Sequence, residues 1–200
     1  MTESIHPAAK LYGEITMPAD KSISHRAALF ASISDRNSVI ENYSRAADPA
    51  STLSCLRSLG VKISKEGDRV EIEGVGRDGF LIPEAPLDCG NSGTTMRLLG
   101  GIIAGSGVRC TLTGDESLSS RTMKRITDPL TKMGAVVSAR ENAYAPLQFS
   151  GHNEDGVRAI RFPLPIASAQ LKSSVLLAGL FGDDDTEVIE HVQSRDHTER

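Results

Sequence analysis

DPASTLSCLRSLGVKISKEGDRVEIEG, residues 48–74, decides the fold, because a helix and a hairpin follow each other in it with little between. Asp48 reads as an N-cap, Pro49 as the first helical residue and Gly60 as the stop. Thr52, Cys55, Leu56 and Leu59 make the inward stripe. VKIS and RVEIEG then alternate at period two around Glu66-Gly67-Asp68, a hairpin signature. The same order returns downstream: Leu59-Gly60-Val61 aligns with Met133-Gly134-Ala135, and AVVSA and PLQFSG form a second hairpin. The helix before it is expected over Arg121–Met133, kinked where Pro129 removes a hydrogen bond.

Outward from this stretch, each hairpin unit has an earlier helix. PADKS opens one, with Ile23, Ala27, Phe30 and Ala31 as its apolar stripe, followed by the strand SVIENY. The turn Asp88–Gly93 opens another, with Met96, Leu99, Gly100 and Ile103 facing inward, followed by the strand RCTLTG. AIRFPL, a helix over Ser168–Leu180 and TEVIEHV make a third. The first helices begin near Ser22, Thr94 and Ser168, so the repeat is about 70–77 residues. The expected fold class is α/β (α+β), built of β-α-β-α-β-β units at about 18–85, 86–155 and 156–200, the last incomplete. A unit that cannot bury its apolar face alone needs its neighbours. KLYGEITM, residues 10–17, reads as a strand preceding the first unit, in the segment 1–17.

Composition narrows the function. Hydrophobic residues are 39% and charged residues 24% of the 200, an ordinary globular balance. Lys and Arg number 22 against 26 Asp and Glu, a net charge of -4. That argues against a nucleic-acid partner held by bulk charge. The longest apolar runs, LLGGIIAG and SVLLAGLF, are too short for a membrane span. Cys55, Cys89 and Cys110 are widely spaced without a C-x-x-C pair, so neither a disulfide framework nor a metal site is expected, and a cytoplasmic location fits reduced thiols.

The chemistry gathers at expected helix starts: Lys21, Ser22 and Arg26; Cys89, Gly90, Asn91, Gly93, Thr94 and Arg97; Gly114 to Ser117 with Arg121; Ser168 and Gln170; Ser194, Arg195 and His197. Cations are disfavoured at helix N-termini by roughly 0.3–1 kcal/mol each. Lys21, Arg26, Arg97, Arg121 and Arg195 in those places make sense if an anion sits between them and the helix dipoles. Each residue alone also has a plain reading. Lys21 is a solvated loop lysine, the glycines a tight turn, Arg121 half of a surface ion pair and Ser168 a simple N-cap. GNSGTTMR lacks the lysine of a Walker loop. Cys89 reads as a quiet buried thiol, and His25 and His197 receive no firm role.

PADKSISHRA, LDCGNSGTTMRLL, GDESLSSRTM, SAQLKSSVLLAGL and SRDHTE, taken together and in order, resemble the 5-enolpyruvylshikimate-3-phosphate synthase family. The resemblance implies an inside-out α/β barrel with pseudo-threefold symmetry, in which 18–200 form the N-terminal domain and 1–17 join the other. It implies transfer of the enolpyruvyl group of phosphoenolpyruvate to the 5-hydroxyl of shikimate 3-phosphate, with no cofactor. It assigns Lys21, Asn91, Gly93, Arg121 and Gln170 to phosphoenolpyruvate, with Lys21 a candidate for proton transfer. It assigns Lys21, Ser22, Arg26, Ser168, Gln170 and Ser194 to shikimate 3-phosphate. Gly93 resembles the form sensitive to glyphosate. Ala19, Leu98, Thr122 and His197 depart from common family residues, and none removes a charge. Family members are about twice as long, so the resemblance implies a missing C-terminal half that carries the acidic groups, and 200 residues alone are expected to be inactive. The rival families weighed are the UDP-N-acetylglucosamine enolpyruvyl transferases, whose loop cysteine is absent from Gly114–Arg121, and the RNA phosphate cyclases. A non-catalytic anion-binding module is the rival of another class.

Overall fold

The structure, a computed structural model, describes every residue except 1, 2, 5, 9, 11 and 155. Helix α1 (Lys21–Ile33) starts where the Asp20 carboxylate accepts the Ile23 N–H at 2.8 Å, satisfying one of the orphan donors of a helix N-terminus. It buries Ala28, Leu29 and Ala31 together with Ser24, His25 and Ser32. The expected stripe is therefore rotated: Ile23 and Phe30 stand exposed. Apolar spacing missed this because the polar side chains of α1 find partners across the interface, Ser24 at the Ser44 N–H and His25 at Thr52.

Strand β1 (Asn37–Ile40) precedes α2 (Ala47–Ser58), and β2 (Lys62–Glu66) and β3 (Arg69–Glu73) form the expected hairpin, with Gly67 at φ +60° in its turn. The three strands are antiparallel in the order β1-β3-β2. The stripe Thr52, Cys55, Leu56 and Leu59 is buried as expected, and Gly60 ends the helix at φ +90°. The start of α2 differs from expectation. Ala46 is the N-cap and Asp48 lies within the first turn, because its carboxylate is engaged by Lys21 rather than by its own helix.

Strand β4 (Leu87–Asp88), α3 (Gly93–Ser106) and β5 (Cys110–Thr113) follow, with β4 parallel to β5. Ser92 caps α3 and Gly107, at φ +71°, ends it. A one-turn α4 (Glu116–Ser119) that was not expected comes first, and the helix expected over Arg121–Met133 starts only at Lys124, as α5 (Lys124–Lys132). Asp115 accepts the Leu118 N–H at 2.7 Å and closes that early turn, so Arg121 lies between helices rather than at a helix start. Helix α5 continues through Pro129. Strands β6 (Ala135–Arg140) and β7 (Tyr144–His152) complete a sheet of order β4-β5-β7-β6. The run β5-β7-β6 repeats the order and the antiparallel sense of β1-β3-β2.

Strand β8 (Arg161–Pro163), α6 (Ala169–Gly179) and β9 (Glu187–Ile189) close the order, β8 parallel to β9 as β4 is to β5. Of the expected strand at 10–17, Leu11 lies outside the described residues, and the rest form no ladder. A segment without a ladder leaves its backbone donors and acceptors to water, and its Tyr12, Ile15 and Met17 are exposed. The expected boundary at residue 155 also lies outside the described residues.

Helix α3 sits in the middle, buried over most of its length and packed most extensively on α6. A Cβ at Gly101 would lie 2.3 Å from the Ser174 carbonyl oxygen, and one at Gly105 2.3 Å from the Phe181 ring. These two glycines let the helices approach. Close α3–α6 packing is what brings the residues of the third unit to those of the second.

Candidate anion-binding site

The first cluster forms around Gly93. A Cβ there would lie 2.6 Å from one Nη of Arg97 and 3.6 Å from one Nη of Arg121, so both guanidiniums converge on the start of α3. Arg121 donates to the Asn91 side-chain oxygen at 2.8 Å and to Ser117 at 3.1 Å. Asn91 donates in turn to Asp115 at 2.7 Å. Arg97 donates to the Gln170 oxygen at 2.9 Å, and Gln170 donates to Thr94 at 2.9 Å. Neither Arg97 nor Arg121 makes an ion pair among the described residues. Burial, then the like charges of Arg121 and Arg125, pull the Arg97 pKa below its ordinary value. Two cations held together by neutral groups, beside helical N–H groups, form a site that favours an anion.

The second cluster forms around Arg26, which is only 4% exposed. It donates to the Ser22 hydroxyl at 2.7 Å, to Ser173 at 2.7 Å and, through Nε, to Thr198 at 2.7 Å. Ser173 and Thr198 share a further hydrogen bond of 2.6 Å. Arg26 thus faces inward against α6 and the segment after β9. Lys21 is exposed and pairs with Asp48 at 2.8 Å.

The third cluster is at the start of α6. Ser168 accepts the Leu171 N–H at 3.3 Å, so its capping role is real. Ser194 and Arg195 line a hollow of about 560 Å³ with Ala167 and Ala169. Ser194 donates to Glu190 at 2.5 Å. Glu190 and Glu199 both pair with Lys172, itself 4% exposed. Burial opposes the Lys172 charge, but these carboxylates outweigh it and hold its pKa above the usual lysine value.

Helix α6 joins the clusters: Gln170 reaches the first, Ser173 the second, and Ser168 begins the third. The sequence motifs at Lys21–Arg26, Asn91–Arg97, Ser168–Gln170 and Arg121 therefore do come together. Arg195 is exposed and outside any helix, so the expectation of a cation at a helix start fails for it as for Arg121.

Sequence reasoning missed the connecting groups. Thr52 accepts from or donates to His25 Nδ1 at 2.6 Å and shares a 2.8 Å bond with Thr95. Thr95 donates to Ser92 at 2.8 Å and approaches the Asp48 carbonyl at 3.3 Å. All of His25, Thr52, Ser92 and Thr95 are fully buried. The available signal was a threonine inside an otherwise apolar stripe. Burial, opposed by Asp48 and aided by Lys21 and Arg26, lowers His25 to about 4, so its ring is neutral at neutral pH. Cys89 is also inert: the neighbouring Cys55 thiol and burial push its pKa up.

A groove of about 930 Å³ between α5 and β8 is lined by Lys124, Arg125, Lys132 and Arg161 among others. Its Lys124 and Arg161 are already paired with Asp128 and Glu187. No helix among the described residues is long and apolar enough to cross a membrane.

The family model of EPSP synthase (3-phosphoshikimate 1-carboxyvinyltransferase) matches residues 5–200. A 3-phosphoshikimate 1-carboxyvinyltransferase of Salinibacter ruber is 50% identical over 201 residues, covering 100% of this chain and 46% of that protein. One of Gloeobacter violaceus is 52% identical over 200 residues, covering 98% of this chain and 46% of its own length. The solved EPSP synthase of Acinetobacter baumannii superposes with a TM-score of 0.89 at 40% identity, over 94% of this chain and 42% of that one. The chain spans about half the length of the curated relatives it matches.

Proposed function

The chain belongs to the EPSP synthase (3-phosphoshikimate 1-carboxyvinyltransferase) family, and from that premise we propose that it supplies the shikimate 3-phosphate side, and part of the phosphoenolpyruvate side, of an enolpyruvyl-transfer site. In the reaction, the 5-hydroxyl of shikimate 3-phosphate adds to C2 of phosphoenolpyruvate as the methylene carbon takes a proton. The tetrahedral adduct then loses phosphate and returns the proton to leave the enol ether. Both substrates carry several negative charges, and the observation that carries the reading is the pair of arginines, Arg97 and Arg121, held at Gly93 with no direct ion pair among the described residues.

Phosphoenolpyruvate binds at Lys21, Asn91, Gly93, Arg121 and Gln170, where helical N–H groups and guanidiniums meet. Lys21, the first residue of α1, is also the group of this chain placed to handle the proton. Its bond to Asp48 holds the ammonium in place. Shikimate 3-phosphate binds at Ser22, Arg26, Ser168 and Ser194, with Lys21 and Gln170 between the two substrates. Arg26 enters this set by surrendering Thr198, its partner outside α1 and α6 among the described residues. The three units of the chain, the last incomplete, belong to one pseudo-threefold domain of an inside-out barrel. The glycine at 93 leaves room for glyphosate beside Arg97.

Calorimetric titration with shikimate 3-phosphate tests the reading. Saturable binding, weakened at least about ten-fold by Arg26→Ala or Ser194→Ala, supports it. Binding that ignores both substitutions, or no binding by a sample that melts cooperatively, defeats it. The 200 residues alone are expected to bind without turnover, since the carboxylates nearest the cluster among the described residues are already engaged, Asp48 by Lys21 and Asp115 by Asn91 and the Leu118 N–H, which leaves neither free as an acid–base partner.

A further inference from the structure

His25, Thr52, Thr95 and Ser92 form one buried line from α1 through α2 to the cap of α3, and proton counting gives it a direction. The Asp48 carbonyl can only accept, and Thr95 reaches it at 3.3 Å and the Ser92 hydroxyl at 2.8 Å. The single Thr95 proton is therefore spent at that end. Thr52 must then donate to Thr95 across their 2.8 Å contact, which leaves His25 Nδ1 to donate to Thr52 at 2.6 Å. The other end agrees. His25 Nε2 is buried and finds no partner among the described residues, and an orphaned buried N–H is rarer than an unmet lone pair. Both ends put the ring proton on Nδ1.

We infer that His25 is a positioning residue: through Thr52 and Thr95 it fixes the Gly93 turn relative to Lys21, so that the two halves of the phosphoenolpyruvate set are held in register. This rests on the proposed function. The line touches both halves directly. Its Asp48 end belongs to the residue whose carboxylate holds Lys21. Its Thr95 end belongs to the first turn of α3, between Gly93 and Arg97, and Thr95 N–H is itself capped by Ser92 at 3.0 Å. Each hydroxyl of the line is fully buried and hydrogen-bonded to the next, so the line fixes direction and register as well as filling space.

Long-range 1H–15N correlation of the histidine ring, together with ligand titrations followed by amide shifts, tests this on the 200-residue chain. Wild type is expected to show the Nδ1–H tautomer at His25, and Thr52→Val to release it to Nε2–H. With shikimate 3-phosphate saturating, phosphoenolpyruvate should bind roughly five- to ten-fold more weakly to Thr52→Val. Shikimate 3-phosphate affinity should stay within about two-fold. Thr52→Ser, which keeps the hydroxyl, should restore both tautomer and affinity. An Nε2–H tautomer in wild type overturns the inference, as does a Thr52→Val chain that binds phosphoenolpyruvate normally. Wild type that binds neither substrate strikes the proposed function instead, and the tautomer still decides the relay.

Discussion

At the scale of single residues, the burial of His25 makes stability depend on pH in the acid range. Its folded-state value of about 4 lies below the ordinary 6.5. Between those values the unfolded chain binds a proton that the folded chain refuses. Stability is therefore complete above about pH 6.5 and is lost as pH falls toward 4, by about 3 kcal/mol for this one group. Urea unfolding at pH 7.5 and 4.5 should show that loss in wild type and a smaller one in His25→Asn. An equal loss in both would place the pH sensitivity elsewhere, for instance in Glu190, whose pKa its bonds to Lys172 and Ser194 lower. Gly93 is the second residue to test. The nearest obstacle to a Cβ there is the tip of Arg97, which can swing aside. Gly93→Ala should therefore melt within about 4 °C of wild type while shifting the Arg97 side-chain resonances. A large drop in melting temperature would mean that the glycine serves the backbone rather than the site.

Among elements, the contact of α3 with α6 decides whether the site assembles. Gly101 faces the Ser174 carbonyl, a backbone atom that cannot swing aside. Gly101→Ala should cost about 1–3 kcal/mol or more and should separate Gln170 from Arg97 and Thr94. A differential scanning measurement showing no loss would contradict the packing described. Lys172 is the second hinge of the assembly, because it ties α6 to Glu190 and Glu199. Lys172→Met leaves two carboxylates facing each other, so the amides of 190–200 should exchange faster while those of α3 do not. Unchanged exchange at Ser194 would show that the segment is held by other means. The elements also show what the sequence could reveal. Both hairpins, the α2 stripe and α6 to within a residue were legible, because period two, period 3.6 and Ser168 as a cap are local signals. The α1 stripe was not, because its buried face carries Ser24, His25 and Ser32, whose partners lie on other elements. The α4 turn was not legible either, because Asp115, whose carboxylate caps it, reads in the sequence as part of the loop before the expected helix.

For the whole molecule, the net charge of -4 hides a local inversion of sign. Acidic residues are spread over helices, strands and loops, while Lys21, Arg26, Arg97 and Arg121 come from two helix starts and one loop. The gathering was visible in the sequence as cations in the wrong places. What connects them was not, since Gln170, Ser173, Thr52 and Thr95 act across separations that no local pattern reports. The central claim is that α1, α6 and the segment after β9 together hold shikimate 3-phosphate. Amide-shift mapping of the 200-residue chain titrated with that compound tests it most directly. The account predicts saturable shifts concentrated at Ser22, Ser168 and Ser194, with the Arg26 side chain changing partner. Shifts confined to the Lys124–Arg161 groove, or spread evenly over the surface, would contradict it.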